Sequence, residues 1–248
     1  MDNKRVAVIT GALGGIGSAT CKALVESGFF VVALSRGRTE QQINDWLDEQ
    51  QIDRASVSFK FLDITDSQAS AEVIKEIFSE FGSVELLVNN AGITRDGLFR
   101  KMSFDSWYQV LNTNLISLYS VTQPVFKAMC EQGHGRIINI SSINGLKGQF
   151  GQVNYSAAKA GIIGFTKALA LEGAGKGVTV NAIAPGYTAT PMVTAIKDEV
   201  LEQITSQVPM KRLALPEEIA GAVTYLASGP AAYITGETLS LNGGQYMH

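Results

Sequence analysis

The sequence predicts an α/β fold, a single doubly wound domain built on a parallel sheet of seven strands. Short apolar runs rich in β-branched residues alternate with helical patterns along the whole chain. Such alternation indicates parallel strands joined by right-handed crossovers, with helices on both faces of the sheet. A chain of 248 residues, 46% of them hydrophobic, can bury a core of this kind, and no linker or repeat interrupts it.

The elements follow in order. The first apolar run precedes a glycine-rich turn and a helical pattern that stops at Gly28. The predicted strands are Val6–Ile9, Phe29–Leu34, Val57–Leu62, Glu85–Asn89, Arg136–Ser141, Val178–Ala184 and Glu237–Leu241. The predicted helices are Ile16–Ser27, Glu40–Gln50, Ser67–Phe81, Phe104–Glu131, Tyr155–Gly173 and Pro216–Ala227.

The segment between Pro185 and Leu215 breaks this rhythm, because it has helical pieces within Val193–Gln207 and no strand. A long excursion after a parallel strand is where substrate-binding lids occur. We expect a helical lid over about residues 187–213; a purely structural helical hairpin is the alternative.

Composition disfavours several function classes. A net charge of −3 and a pI near 5.5 disfavour general binding to nucleic acid or to a membrane surface. The apolar runs are too short to span a membrane. Cys21 and Cys130 lie in helical segments and are expected to be buried thiols, and with His134 and His248 as the two histidines we expect no metal site. The chain enters its first strand at once, so we expect a soluble cytoplasmic protein.

The turn after the first strand is a candidate dinucleotide site. It carries Thr10, Gly11, Gly15 and Gly17. Glycines at a strand-to-helix turn let the backbone approach a pyrophosphate, which the helix N-terminus also attracts. A glycine-rich turn without a ligand is the alternative.

The end of the second strand bears on the choice of cofactor. It reads Ser35-Arg36-Gly37-Arg38, without the acidic residue that would bind the ribose hydroxyls of NAD. Arg36 can instead pair with a 2′-phosphate, so we expect NADPH; a solvated basic loop is the alternative.

Tyr155 and Lys159 lie four residues apart, on one face of an Ala-rich helix. A cation near a phenol favours the phenolate, so we expect Lys159 to lower the pKa of Tyr155. Ser142 ends an apolar run, where its hydroxyl can hydrogen-bond the substrate oxygen that Tyr155 protonates. For an isolated YxxxK pattern, an ordinary surface pair would be the better interpretation.

These motifs together resemble the short-chain dehydrogenase/reductase family over the entire chain. The resemblance rests on the TGxxxGxG spacing, NNAG at 89–92, Asn114, Ser142 and YxxxK. It implies a Rossmann domain and a catalytic tetrad of Asn114, Ser142, Tyr155 and Lys159. Tyr155 would be the general acid, Ser142 would hold the carbonyl oxygen, Lys159 would also bind the nicotinamide ribose, and Asn114 would hold a water that links Lys159 to solvent.

The same resemblance implies further cofactor contacts. Asp63 matches the adenine-binding position, Asn90, Ala91 and Gly92 the adenosine ribose position, and Thr190 the position beside the nicotinamide carboxamide. The implied cofactor-binding residues are Thr10, Gly11, Gly15, Ile16, Gly17, Ser35, Arg36, Asp63, Asn90, Ala91, Gly92, Tyr155, Lys159, Pro185, Gly186 and Thr190.

Three stretches, at 92–102, 143–156 and 185–193, resemble the acetoacetyl-CoA reductases and more loosely the 3-oxoacyl-acyl-carrier-protein reductases. In the acetoacetyl-CoA reductases the residues that match Gln149, Phe150, Gln152 and Tyr187 surround a short acyl chain, whose 3-oxo group Ser142 would bind. Ordinary loop polarity is the alternative for the two glutamines. Arg95 and Lys147, with Arg100, are the candidate partners of the CoA phosphates.

Three functional hypotheses follow. The first is NADPH-dependent reduction of acetoacetyl-CoA to (R)-3-hydroxybutyryl-CoA. The second is the reduction of 3-oxoacyl groups on acyl carrier protein, and the third is a non-catalytic dinucleotide-binding regulatory protein. The third is disfavoured because Tyr155 and Lys159 are both present.

The resemblance also implies a homotetramer. Helix Phe104–Glu131 and the helix that carries Tyr155 would pair across a twofold axis, and the apolar segment from Leu239 to Met247 would contribute to a second interface. Burial of these helices within the monomer is the competing explanation.

Overall fold

A seven-stranded parallel sheet forms the centre of the protein in the computed structural model, which describes residues 4–194 and 197–247. The strands are β1 (Arg5–Thr10), β2 (Phe29–Ser35), β3 (Val57–Phe61), β4 (Leu86–Asn89), β5 (Gly135–Ile140), β6 (Val178–Pro185) and β7 (Thr238–Leu241). Their order is β3-β2-β1-β4-β5-β6-β7, all parallel, which confirms the predicted fold class. The order reverses between β1 and β4, and ligands of such sheets bind outside the carboxyl ends of the strands at this reversal.

Helices cover both faces of the sheet. They are α1 (Gly15–Glu26), α2 (Glu40–Gln50), α3 (Ser67–Phe81), α4 (Phe104–Leu111), α5 (Ser117–Gln132), α6 (Ile143–Lys147), α7 (Val153–Ala174), α8 (Pro191–Thr194), α9 (Asp198–Gln207) and α10 (Pro216–Leu226). Alternate residues of β1 enter opposite cores: Ile9 packs in the cluster with Leu24 and Val223, whereas Val8 packs in the cluster with Ile74. This burial on both faces explains why the strands are continuous apolar runs.

The helix prediction was incomplete in two places. The helix predicted over Phe104–Glu131 is divided into α4 and α5 by a π-helical turn at Asn112–Ile116. Helix α6 was not predicted. The lid predicted over about residues 187–213 contains α8 and α9 as its helical pieces, and its residues 195 and 196 lie outside the described residues.

The described helices include none with both the length and the apolar character needed to cross a membrane. Cys21 is buried as expected, but the prediction for Cys130 was wrong, since this side chain lies at the end of α5 and is only half-buried.

Candidate active site

The glycine-rich turn is cross-linked to the end of β4. The Thr10 hydroxyl accepts hydrogen bonds from the backbone N–H groups of Asn90 and Ala91, at 3.0 and 3.1 Å. The Asn90 amide donates to the carbonyls of Thr10 and Gly11, at 3.1 and 3.0 Å. Gly11 has φ +64°, and a Cβ there would lie 2.8 Å from the Cα of Ala91. The carboxyl ends of β1 and β4 are therefore held together at the reversal of strand order.

The N-terminus of α1 suits a bound pyrophosphate. Gly14 precedes the helix without a side-chain cap, and the first turn, which includes Ile16 and Gly17, contains no acidic residue, so the backbone amides can receive an anion. A Cβ on Gly15 would lie 2.7 Å from the Thr190 methyl group, which places the start of the predicted lid against this turn. The residues present thus fit the phosphates of a dinucleotide.

The predicted adenosine-binding residues meet at the ends of β2 and β3. The backbone N–H of Leu62 donates to the Ser35 carbonyl at 2.9 Å, which joins the two strand ends. Asp63 accepts from the backbone and hydroxyl of Thr65, at 2.9 and 2.7 Å. These hydrogen bonds hold the pKa of Asp63 below its usual value, and the charge of Arg36 contributes to the same effect. Arg36 therefore lies close enough to Asp63 for their charges to interact.

Ser142 and Tyr155 come together where α6 packs on α7. Ser142 is the N-cap of α6, and its Oγ accepts from the backbone N–H of Asn144 at 3.1 Å. Burial raises the pKa of the half-buried Tyr155, the negative charge of Asp96 raises it further, and a hydrogen bond with Ser142 lowers it. At neutral pH Tyr155 is thus held as the protonated acid.

Lys159 lies behind Tyr155, one turn along α7. It is only 3% exposed, and its Nζ donates to the Ile140 carbonyl at 2.7 Å. The Nζ is 5.6 Å from the centre of the Tyr155 ring. Burial lowers the pKa of Lys159 to about 8. The expected lowering of the Tyr155 pKa by Lys159 is not found: the ammonium is directed to a backbone carbonyl, and its own charge is destabilised by burial.

Asn114 lies in the π-helical turn and clamps the backbone that follows NNAG. Its Nδ2 donates to the Ile93 carbonyl at 2.9 Å, and its Oδ1 accepts from the Ile93 N–H at 2.8 Å. A Cβ on Gly92 would lie 3.2 Å from Asn114 Oδ1 and 3.6 Å from Lys159 Nζ. The structure therefore brings Asn114 and Lys159 together; that Asn114 holds a water stays a prediction.

The predicted substrate residues divide into two groups. Gln152 lies at the start of α7, where its Nε2 donates to Asp96 at 2.8 Å and its Oε1 accepts from Asn144 at 2.9 Å. Lys147, Gln149 and Phe150 lie at the end of α6 and in the loop that follows it, where the exposed Lys147 donates to Gln149 at 2.9 Å and Phe150 is 86% exposed.

Arg95 and Tyr187 approach the same region from other loops. The Arg95 guanidinium is exposed and donates to the Thr94 carbonyl at 2.8 Å. Tyr187 follows Pro185 and Gly186, and Gly186 N–H donates to the Leu241 carbonyl at 2.8 Å, which fixes this turn to β7. Burial, together with the charge of Asp96, raises the pKa of Tyr187. The charge of Asp96 therefore acts on both tyrosines, although the sequence did not single out this residue.

Comparison with known proteins identifies the family: the sequence profile of the short chain dehydrogenases matches residues 5–201. The chain belongs to the short chain dehydrogenase family. It is 56% identical over 248 residues to the acetoacetyl-CoA reductase of Acinetobacter sp. (strain RA3849), with all of both chains covered. It is 53% identical to nodulation protein G of Azospirillum brasilense, with 98% of both chains covered. It is also 46% identical to the 3-oxoacyl-[acyl-carrier-protein] reductase FabG of Vibrio cholerae, again with 98% of both chains covered.

This short chain dehydrogenase is thus an oxidoreductase. Its sheet brings a turn that suits a dinucleotide, a protonated phenol, a serine hydroxyl and a buried lysine to one edge. Proton transfer to a carbonyl oxygen is the chemistry that such a set supports.

A cavity of about 310 Å³ lies beside this site in the dehydrogenase, between the end of the lid and the C-terminal segment. Its walls include Tyr187, Val208, Met210 and Asn242, but none of the four residues of the predicted tetrad.

Proposed function

We propose that the protein catalyses the NADPH-dependent reduction of acetoacetyl-CoA to (R)-3-hydroxybutyryl-CoA. The observation that carries this proposal is the pairing of a protonated Tyr155 with Ser142 at the carboxyl edge of the sheet, next to the glycine-rich turn. The 56% identity over the full length to an acetoacetyl-CoA reductase supports the choice of substrate.

The residues have distinct roles in this proposal. The 3-oxo group lies between Ser142 and Tyr155, where the serine hydroxyl orients the oxygen and Tyr155 donates the proton. A bound nicotinamide would supply the hydride to the carbonyl carbon. Lys159 has a pKa of about 8, so it is able to pass a proton towards Tyr155 near neutral pH. Because Lys159 is buried, this transfer between the two side chains is shielded from bulk water.

The proposed preference for NADPH rests on the end of β2. Arg36 is exposed there, and its charge already reaches Asp63 across the end of β3. A 2′-phosphate placed at this point would meet the guanidinium in a charge-assisted pair, whereas a free ribose hydroxyl would find no acidic residue at this strand end.

The second candidate is reduction of 3-oxoacyl groups on acyl carrier protein, which the 46% identity to such a reductase supports. The two proposed reactions have the same chemistry and differ in the group that carries the acyl chain, which is CoA in the first and acyl carrier protein in the second. Arg95 and Lys147 are both exposed and can meet the phosphates of CoA. The non-catalytic alternative has no support, because Ser142, Tyr155 and Lys159 are assembled in one site.

The deciding experiment compares initial rates of NADPH oxidation with acetoacetyl-CoA and with acetoacetyl carrier protein. The Tyr155→Phe variant provides the background. We expect a clearly higher kcat/KM for the CoA thioester, and efficient reduction of the carrier-protein thioester with marginal use of acetoacetyl-CoA would replace the first proposal with the second.

We further propose that the chain forms one domain and assembles as a homotetramer in the cytoplasm. Large apolar side chains are exposed on the helices proposed to pair: Phe104 at 78%, Tyr119 at 68% and Leu171 at 84%. In the C-terminal segment Met247 is 76% exposed. Contiguous exposed apolar surface marks an interaction site, and these side chains support the proposed pairing of the helices. Sedimentation showing a monomer that does not associate at high concentration would contradict the tetramer.

A further inference from the structure

Three polar side chains form a hydrogen-bonded chain next to the catalytic serine. Asn144 Nδ2 donates to Gln152 Oε1 at 2.9 Å, and Gln152 Nε2 donates to Asp96 Oδ2 at 2.8 Å. These residues come from α6, from the start of α7 and from the loop after β4. The Asn144–Gln152–Asp96 chain therefore ties together the elements that surround Tyr155.

The direction of these hydrogen bonds is fixed by the carboxylate at one end. An ionised carboxylate only accepts, so Gln152 must present its Nε2 to Asp96. The Gln152 Oε1 then faces Asn144, which must donate a hydrogen bond from its own Nδ2. Turning either amide over would bring two donors or two acceptors together at one or both contacts. The Gln152 and Asn144 amides therefore have one orientation that is compatible with the Asp96 carboxylate.

Asn144 is also joined to the catalytic serine. Its backbone N–H donates to Ser142 Oγ at 3.1 Å, which occupies one lone pair and leaves the hydroxyl proton for another acceptor. The Asn144 side chain is buried, and its Oδ1 has no hydrogen-bond partner among the described residues. A buried amide that is only partly satisfied is costly, so packing alone does not explain it.

The charged and titratable groups around Tyr155 come from each neighbouring element. The charge of Asp96 acts on it from the loop after β4, Ser142 hydrogen-bonds it from the start of α6, and Tyr187, which the Asp96 charge also affects, follows β6. Lys159 lies on the same helix. Asp96 is the negative charge in this set, and it opposes the ionisation of both tyrosines.

We propose that Asn144 is a positioning residue of the reduction: through Gln152 it holds the Asp96 carboxylate beside Tyr155, so that the tyrosine keeps its proton until the ketone oxygen takes it. Without Asn144 the Gln152 amide loses its anchor, and Asp96, which is exposed, turns towards solvent. This role rests on the proposed reductase function.

The test is the pH profile of kcat/KM for acetoacetyl-CoA in the wild type, Asn144→Leu, Asp96→Asn and the double variant. Loss or release of the negative charge favours the phenolate, so the alkaline limb should move to lower pH by roughly 0.5 of a pH unit in both single variants. The double variant should show no further shift, since Asn144 acts through Asp96. The rate of oxidation of (R)-3-hydroxybutyryl-CoA at neutral pH should increase in the same variants, because this reverse reaction needs the Tyr155 phenolate as base.

Asn181→Leu is the matched control. It removes another buried amide, which donates to the Ile234 carbonyl at 2.8 Å and accepts from the Glu237 N–H at 3.1 Å, away from Tyr155. This variant should lower the melting temperature without moving the alkaline limb. An unchanged limb in Asn144→Leu beside a shifted one in Asp96→Asn would overturn the proposal, as would additive shifts in the double variant. Should Asn144→Leu not fold, an unshifted limb in Asp96→Asn is by itself sufficient to overturn it.

Failure of the two proposals can be told apart. If the wild type does not reduce acetoacetyl-CoA, the proposed function is wrong. The ionisation of Tyr155 can still be followed by tyrosinate absorbance, with each protein compared with its own Tyr155→Phe form. A titration midpoint that is the same in the wild type and Asn144→Leu would contradict the positioning role alone.

Discussion

Gly145→Ala tests whether the contact between α6 and α7 sets the position of the catalytic serine. A Cβ at Gly145 would lie 2.7 Å from the Lys159 carbonyl carbon and 2.8 Å from the Ala160 nitrogen, both of them backbone atoms. Ordinary van der Waals contact begins near 3.4 Å, so α6 must move away from α7 by about 0.7 Å. Ser142 caps α6 and would move with it, away from Tyr155.

The expected cost follows from this displacement. A misplacement of 1 Å at a reacting centre costs on the order of 10²-fold, so kcat should fall by roughly 10- to 100-fold. The free energy of unfolding should fall by about 1–3 kcal/mol, the usual range for overpacking. NADPH oxidation gives kcat and urea denaturation gives the stability, while the Kd for NADPH should stay close to the wild-type value, because the glycine-rich turn is not displaced.

Gly221→Ala is the control. Gly221 lies within α10, and a Cβ there would meet nothing within 4 Å, so the substitution should stabilise the protein by about 0.5–1 kcal/mol through helix propensity and leave kcat unchanged. A Gly145→Ala variant with near-normal kcat would refute the reasoning, because it would show that Ser142 does not depend on the spacing of the two helices.

Three further predictions concern single side chains. Tyr155→Phe should bind NADPH and remain folded but lose activity by on the order of 10²–10⁴-fold, and near-normal turnover in the steady-state assay would contradict its role as the acid. Arg36→Asp should lower the preference for NADPH over NADH by roughly 10- to 100-fold, while the same charge change in Arg54→Asp, on an exposed residue bonded to Asn44, should not. Lys159→Met should inactivate the enzyme yet raise the free energy of unfolding at pH 7 by about 1–2 kcal/mol, because it removes a buried charge at the expense of one hydrogen bond. The folded-state pKa of Lys159, about 8, lies below the ordinary value of 10.5, so the unfolded state binds more protons between these values, and the advantage of the variant in urea melts should disappear as pH rises through this window. A variant that is less stable at pH 7 would contradict the last prediction.

The sheet could be predicted from the sequence because its strands are buried on both faces. Such strands are continuous apolar runs between turn residues, and the predicted limits of β1 to β7 differ from the structure by only one or two residues. The glycine-rich turn and the Tyr155–Lys159 pair were also recognisable, since each depends on spacing within one short segment.

Features that depend on contacts between distant segments were missed. Helix α6 has only five residues, including Asn144 and Gly145, which are poor helix formers; it is capped by Ser142 and packed on α7. Asp96 was not singled out, because its contact with Gln152 joins positions 56 residues apart. The pKa of Tyr155 was expected to fall, because the sequence shows the nearby lysine but not the burial or the carboxylate.

Because of the π-helical turn, the position of Asn114 depends on the number of residues between α4 and α5. Each of its hydrogen bonds spans one residue more than in an α-helix, so the segment from α4 to α5 accommodates an additional residue within the turn. Asn114 is presented to Ile93 from this turn. Deleting one neighbouring residue would let the turn close as regular helix and rotate the side chains before it relative to those after it by about 100°. Evolution could therefore lose this clamp by a single-codon deletion that leaves Asn114 itself in the gene.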